Sequence, residues 1–121
     1  MTKKKILIID DEMDMGEVVR DYLKDQGYEA FMTLDAVQGL EIVDKEKPDV
    51  VLLDILMPQI SGMECLQQIL QKNPKTIVLM VSGMQDEQIA KEAIRYGAYD
   101  YITKPFDLDY LQNSLLKRIF G

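Results

Sequence analysis

The chain has 121 residues, with 47% hydrophobic residues, 29% charged residues and no tryptophan, the make-up of one folded domain with a core of its own. A net charge of −7 argues against direct nucleic-acid binding, and no apolar stretch approaches the ~20 residues of a membrane helix, so no membrane contact is expected. There is no histidine, hence no phosphohistidine and no histidine-bound zinc, and a lone cysteine, Cys65, excludes an internal disulfide.

The chain opens on MTKKKILIIDDE, a basic cluster followed by a short apolar run that meets carboxylates at once. That run is too short for the core of an export signal, so the expected location is the cytoplasm. Ile6–Ile9 is the first of five apolar runs; the others are Tyr28–Met32, Val50–Leu53, Ile77–Val81 and Tyr99–Ile102. Amphipathic segments separate them. Met15, Val18, Val19, Tyr22 and Leu23 share a helical face, as do Met63, Leu66, Ile69 and Leu70, and then Leu108, Leu111, Leu115 and Ile119. Asp14-x-x-Glu17, Asp35-x-x-Gln38 and Ser61-x-x-Glu64 have the spacing of an N-cap and its capping-box partner, and Asp107 can cap the last helix. Gly27 and Gly97 stand where a left-handed residue closes a helix, and Lys47-Pro48 and Asn73-Pro74 block further helix.

Strand and helix alternating in this way predict one α/β domain over residues 1–121 with a parallel sheet. ILII, VVLL and IVLMV are continuously apolar, as strands covered on both faces must be, whereas YEAFM and YDYI mix polar with apolar residues, as edges tolerate. With right-handed crossovers the simplest order is 2-1-3-4-5, a flavodoxin-like (βα)5 fold with helices on both faces.

In such a sheet, ligands bind beyond the carboxyl ends of the strands. The first run ends in Asp10-Asp11-Glu12, the third in Asp54, the fourth in Ser82-Gly83, and the fifth leads into Thr103-Lys104-Pro105. Taken singly, each has an ordinary explanation as a cap, a turn or a surface charge. Together they place carboxylates, a hydroxyl and a lysine at one end of one sheet. Crowded carboxylates call for a cation, and hard oxygen ligands suit Mg²⁺, with Mn²⁺ able to substitute. Repulsion among Asp10, Asp11 and Asp54 should raise at least one of their pKa values. An aspartate can act as nucleophile toward phosphorus, and a lysine and a hydroxyl can hold the oxygens of the incoming phosphoryl group.

The combination KKILIIDDE, PDVVLLDILMP, VSGM and GAYDYITKPF resembles the CheY-like receiver domain of bacterial two-component response regulators over essentially the whole chain. The resemblance implies a phosphorylation-controlled switch rather than an enzyme, catalysing only its own phosphorylation and dephosphorylation. Asp54 would be the phosphoacceptor. Asp11 would bind Mg²⁺ directly, Asp10 through water, and Asp54 and the Leu56 backbone carbonyl would complete the site. Lys104 would pair with the phosphoryl group, Ser82 would hydrogen-bond it, and Tyr101 would be the switch aromatic. A cis bond is implied between Lys104 and Pro105. Leu56 and Met84 would flank the path of the hydrolytic water. The implied partners are a sensor histidine kinase or a phosphotransfer protein. Arg95, Asp100 and Arg118, on the last two helices and the fifth strand, are most simply a solvated face, and the resemblance implies that a homodimer or an output domain can dock there, through helix 4, strand 5 and helix 5.

Two features depart from the common pattern: Ser82 stands where threonine is frequent, and Gly83 replaces the usual alanine. Two other readings are weaker. A small-molecule module of flavodoxin type would need a phosphate-binding loop after the first strand, where this chain has carboxylates. A degenerate receiver should lack a carboxylate, the hydroxyl or the lysine, and none is missing. The chain stops soon after the fifth helix, which fits a stand-alone receiver or part of a longer regulator.

Overall fold

A computed structural model of the chain describes residues 3–57, 60–83 and 85–121, so Met84 lies outside the described residues. Strands β1 (Lys5–Ile9), β2 (Glu29–Thr33), β3 (Val50–Asp54), β4 (Ile77–Ser82) and β5 (Asp100–Thr103) alternate with helices α1 (Met13–Asp25), α2 (Ala36–Glu46), α3 (Gly62–Lys72) and α4 (Glu87–Arg95). The last helix, α5, starts at Leu108–Tyr110, passes through π-helical turns at Leu111–Leu116 and ends at Lys117–Phe120. All strand pairs are parallel and the order is β2-β1-β3-β4-β5, as the polarity of the apolar runs indicated.

The three central strands are apolar throughout because successive side chains enter opposite cores. Leu7, Ile9, Val51, Leu53, Val78 and Met80 meet Ala36 and Val43 of α2, Cys65, Leu66 and Ile69 of α3 and Ala93 of α4. Ile6, Ile8, Val50, Leu52, Leu79 and Val81 meet Val19 and Leu23 of α1 and Leu111, Leu115 and Leu116 of α5. Cys65 is fully buried, and burial pushes its thiol pKa up to about 12, so it packs as a small apolar residue.

Several details correct the sequence pattern. Val18 was placed on the apolar face of α1 but is 58% exposed, because the buried stripe is narrow and follows Gly16, Val19 and Leu23. The N-cap of α1 is Glu12, and Asp14 falls within the first turn. At α2, Asp35 caps the Val37 and Gln38 amides as expected, but Gln38 does not return to the Asp35 amide. Thr33 Oγ1 accepts from that amide at 3.2 Å and donates to Gln38 Oε1 at 3.0 Å. Ser61 and Asp107 cap α3 and α5, and Gly27 and Gly97 close their helices at φ 98° and 109°. Lys47, before Pro48, closes α2 in a left-handed conformation at φ 49°. The π turns of α5 were not anticipated. Leu111, Leu115 and Leu116 of these turns are buried in the core.

One close approach matters for the site. The Gly62 amide donates to the Ile55 carbonyl at 2.9 Å, fastening the start of α3 under the loop that follows Asp54. A Cβ at Gly62 would lie 2.4 Å from Ile55 Cα and 2.8 Å from the Asp54 carbonyl oxygen. Backbone cannot yield as a flexible side chain can, so Gly62→Ala should cost ~1–3 kcal/mol of stability. Urea denaturation measures this, and an unchanged midpoint would show that α3 is not pinned at this point.

Candidate functional site

The carboxyl ends of β1, β3, β4 and β5 converge by register. Ile9 pairs with Leu53, Asp54 with Val81, and Ser82 with Thr103, so Asp10 and Asp54 come side by side and Lys104 follows β5 next to β4. Backbone hydrogen bonds hold this edge. The Asp10 amide donates to the Thr33 carbonyl at 3.1 Å, Ile55 to Val81 at 3.1 Å, and Lys104 to Ser82 at 2.7 Å. The Lys104–Pro105 bond is cis.

Asp10 and Asp54 are 2% and 5% exposed, whereas Asp11 is exposed. One carboxylate oxygen from each of the three lies within 4.8 Å of the others. An all-oxygen, anionic set open to water on one side is the donor chemistry of Mg²⁺ or a similar hard cation, which keeps waters of its own. Among the described residues, this is the carboxylate group with the geometry to close on one ion.

Lys104 reaches into this pocket with a side chain only 10% exposed. Its Nζ lies 2.8 Å from Asp10 Oδ2, 3.2 Å from Glu12 Oε1 and 3.4 Å from Asp54 Oδ2. Burial works to lower the ammonium pKa, but Asp10, Asp54 and Glu12 together outweigh it, and the pKa ends above its ordinary value. Asp54 Oδ1 accepts from the Leu56 amide at 3.2 Å, so both of its oxygens have partners. Its pKa is pushed up to about 6. Burial is the largest cause, with repulsion from Asp10 behind it, and the Leu56 amide and Lys104 oppose both. The sequence reading expected a raised carboxylate but attributed it to repulsion; desolvation of the charged form is the larger effect.

The remaining expected residues are distributed as follows. Ser82 is fully buried at the end of β4. Leu56 contributes its amide to Asp54, and its side chain is 57% exposed. Among the described residues, nothing lies within 4 Å of where a Cβ on Gly83 would stand. Tyr101 is half-buried against the core of α2, α3 and α4, and borders a groove of about 380 Å³ beside Asp86, Glu87 and Ala90 of α4. Arg95 and Arg118 are exposed on α4 and α5, and Asp100 is half-buried on β5. Glu12 was read only as the end of an acidic run. Its contact with Lys104 spans 92 residues of sequence, so no local signal announced it.

Known proteins resemble this chain over nearly its whole length. The family model for the response regulator receiver domain matches residues 6–116. The chemotaxis protein CheY of Listeria monocytogenes is 41% identical over 116 residues, covering 93% of this chain and 96% of that protein. Sporulation initiation phosphotransferase F of Bacillus subtilis is 33% identical over 119 residues, covering 97% and 94%. Among solved structures, a CheY-like receiver domain protein from Methanospirillum hungatei superposes with a TM-score of 0.93 at 27% identity, covering 98% of this chain and 95% of that one. A chain of the CheX-CheY-BeF3-Mg²⁺ complex from Borrelia burgdorferi superposes at 0.90 and 25% identity, covering 98% of this chain and 90% of that one.

The raised Asp54 pKa has a consequence for stability without metal. The folded protein binds the Asp54 proton more tightly than the unfolded chain, so its contribution is fully present below the ordinary 3.8 and is lost as pH rises through about 6. In chelator, Asp54→Asn should therefore match wild type near pH ~4 and exceed it by on the order of 2 kcal/mol at pH ~7. Urea denaturation across that range gives the answer, and a difference independent of pH would contradict the assignment of the burden to Asp54.

Proposed function

The chain belongs to the response regulator receiver domain family, the phosphorylation switches of two-component systems, and on that premise we propose that Asp54 is the residue that accepts the phosphoryl group. The observation that carries this reading is the pocket itself. A buried aspartate, a buried lysine 3.4 Å from it and two further aspartates sit at the carboxyl end of one parallel sheet. In the reaction a carboxylate oxygen of Asp54 bonds to phosphorus while the bond from phosphorus to the donor breaks. The donor would be a phosphorylated imidazole on a sensor histidine kinase or phosphotransfer protein, whose leaving nitrogen takes up a proton, or acetyl phosphate in vitro, which leaves as acetate.

Each neighbour then has a distinct task. Asp10, Asp11, Asp54 and the Leu56 carbonyl would hold Mg²⁺, or Mn²⁺ in its place, which when bound offsets charge on the phosphoryl oxygens. Lys104 would donate to one phosphoryl oxygen and Ser82 to another. Movement of Ser82 would alter β4 and α4, and the half-buried Tyr101 would report it on the face formed by α4, β5 and α5. That face carries Ile94, Tyr96, Tyr99 and Tyr110 exposed among Arg95, Asp100 and Arg118, a composition suited to a homodimer or an output partner. Among the described residues no helix is long and apolar enough to cross a membrane, which fits a cytoplasmic signalling role. As in the family at large, catalysis would extend only to the domain's own phosphorylation and dephosphorylation.

The direct test is acetyl phosphate with Mg²⁺, followed by intact mass. Wild type should gain one phosphoryl group, and Asp54→Asn and Mg²⁺-free wild type should gain none; equal labelling of Asp54→Asn would refute the assignment.

Metal binding has its own signature. At a hundredfold excess over Kd, Mg²⁺ should stabilise wild type by ~2.7 kcal/mol, read as a raised Tm, and Asp11→Asn should blunt that response. Thermal melts without Mg²⁺ dependence would show that the three aspartates do not assemble a metal site.

Persistence of the signal depends on how water reaches phosphorus opposite the Asp54 oxygen. The exposed Leu56 side chain cannot orient water by a strong hydrogen bond, and neither can Met84. Slow self-dephosphorylation follows, and the double variant Leu56→Asn, Met84→Glu should lose phosphate at least about tenfold faster. A double variant as slow as wild type in a phosphoryl-loss time course would show that these positions do not gate the water.

A further inference from the structure

Glu12 occupies the N-cap of α1, where serine, threonine, aspartate or asparagine usually accepts an amide hydrogen bond through the side chain. Its side chain makes no such bond. The Glu12 amide donates to Asp10 Oδ1 at 2.8 Å, and the Glu12 carboxylate turns instead to Lys104 Nζ at 3.2 Å. A helix start has thus been left without its side-chain cap, and the carboxylate lies against the lysine of the phosphoryl pocket.

An ammonium has three N–H groups, and here three carboxylates surround it: Asp10, Glu12 and Asp54. Asp10 and Asp54 belong to the group that can close on a divalent cation; Glu12 does not. Once a cation neutralises Asp10 and Asp54, their pull on Lys104 falls, whereas Glu12 keeps its full charge. A phosphoryl oxygen on Asp54 would then compete with Glu12 for the position of the ammonium. The Glu12 side chain is 61% exposed, so water can solvate it when the lysine leaves. The contact is therefore weak enough to break in every cycle yet strong enough to bias where Lys104 rests.

We propose that Glu12 is a positioning residue for phosphoryl acceptance: it draws the Lys104 ammonium toward Asp10 and tempers its transfer to a phosphoryl group on Asp54. This inference rests on the reading of Asp54 as phosphoacceptor and adds a restraint to it. A threonine or serine at position 12 could cap α1 but could not hold the lysine. Glutamate gives up the cap and competes for the lysine that the phosphoryl group would use.

The test is a double-mutant cycle in beryllofluoride affinity, beryllofluoride being a phosphoryl analogue, measured in saturating Mg²⁺ by amide chemical shifts. Glu12→Gln should tighten binding about two- to fivefold when Lys104 is present, the range expected of a partly exposed ion pair. In the Lys104→Met background the same change should have almost no effect. Equal tightening in both backgrounds would show that Glu12 acts only as a nearby negative charge, and no tightening beside Lys104 would show no restraint; either overturns the proposal. Wild type that fails to bind beryllofluoride in Mg²⁺ would remove the phosphoacceptor reading itself. A second readout needs neither analogue nor metal. In chelator, acetic anhydride should modify Lys104 at least about twofold faster in Glu12→Gln than in wild type, judged by peptide mass against exposed Lys91. An unchanged ratio overturns the proposal even if Lys104→Met binds the analogue too weakly to measure.

Discussion

A single ammonium group among carboxylates at the end of a buried sheet governs this molecule. Lys104 lies within 3.4 Å of Asp10, Glu12 and Asp54, with Asp11 at the rim, so one cation faces four anions. Two of those anions are almost wholly withdrawn from water. An isolated charge in that position would be costly, and a lysine with three acceptors offsets part of the cost without cancelling it. The remainder appears in Asp54, whose carboxyl is held at a pKa of about 6 chiefly by burial. A pocket in this condition has the donor chemistry of a site for a divalent cation.

The rest of the fold keeps the imbalance in place. β1, β3 and β4 are apolar because helices cover both their faces, and their rigidity leaves the polar ends as the part of the sheet free to carry chemistry. Register sets Asp10 beside Asp54, and the Lys104 amide is fastened to the Ser82 carbonyl at 2.7 Å, so the lysine's backbone cannot drift from the strand that bears the hydroxyl. Gly62 brings α3 against the loop after Asp54 closely enough that no side chain fits between.

The legible part of the sequence was the part set by composition over several residues. Continuous apolar runs marked buried strands, the mixed runs YEAFM and YDYI marked the edges, and strand order then brought Asp10, Asp11, Asp54, Ser82 and Lys104 to one end of the sheet. What escaped notice depends on single contacts. Asp14 has the spacing of an N-cap, but the chain leaves β1 in a conformation that makes Glu12 the cap instead. Gln38 fits a capping box, yet Thr33 at the end of β2 claims both Asp35 and Gln38. The π turns at Leu111–Leu116 left no mark in the pattern, because the spacing of the leucines matches an ordinary helix equally well. The weight of burial at Asp54 could not be known before the depth of the pocket was, and the Glu12–Lys104 pair joins segments that only the closed sheet brings together.

The most direct measurement is a crystal structure with Mg²⁺ and beryllofluoride. Beryllium should be bonded to an Asp54 carboxylate oxygen, with the metal on Asp11 and Asp54, and Lys104 Nζ within hydrogen-bond distance of a fluorine and released from Glu12. Lys104 remaining on Asp10 and Glu12, or beryllofluoride bound away from Asp54, would contradict that arrangement.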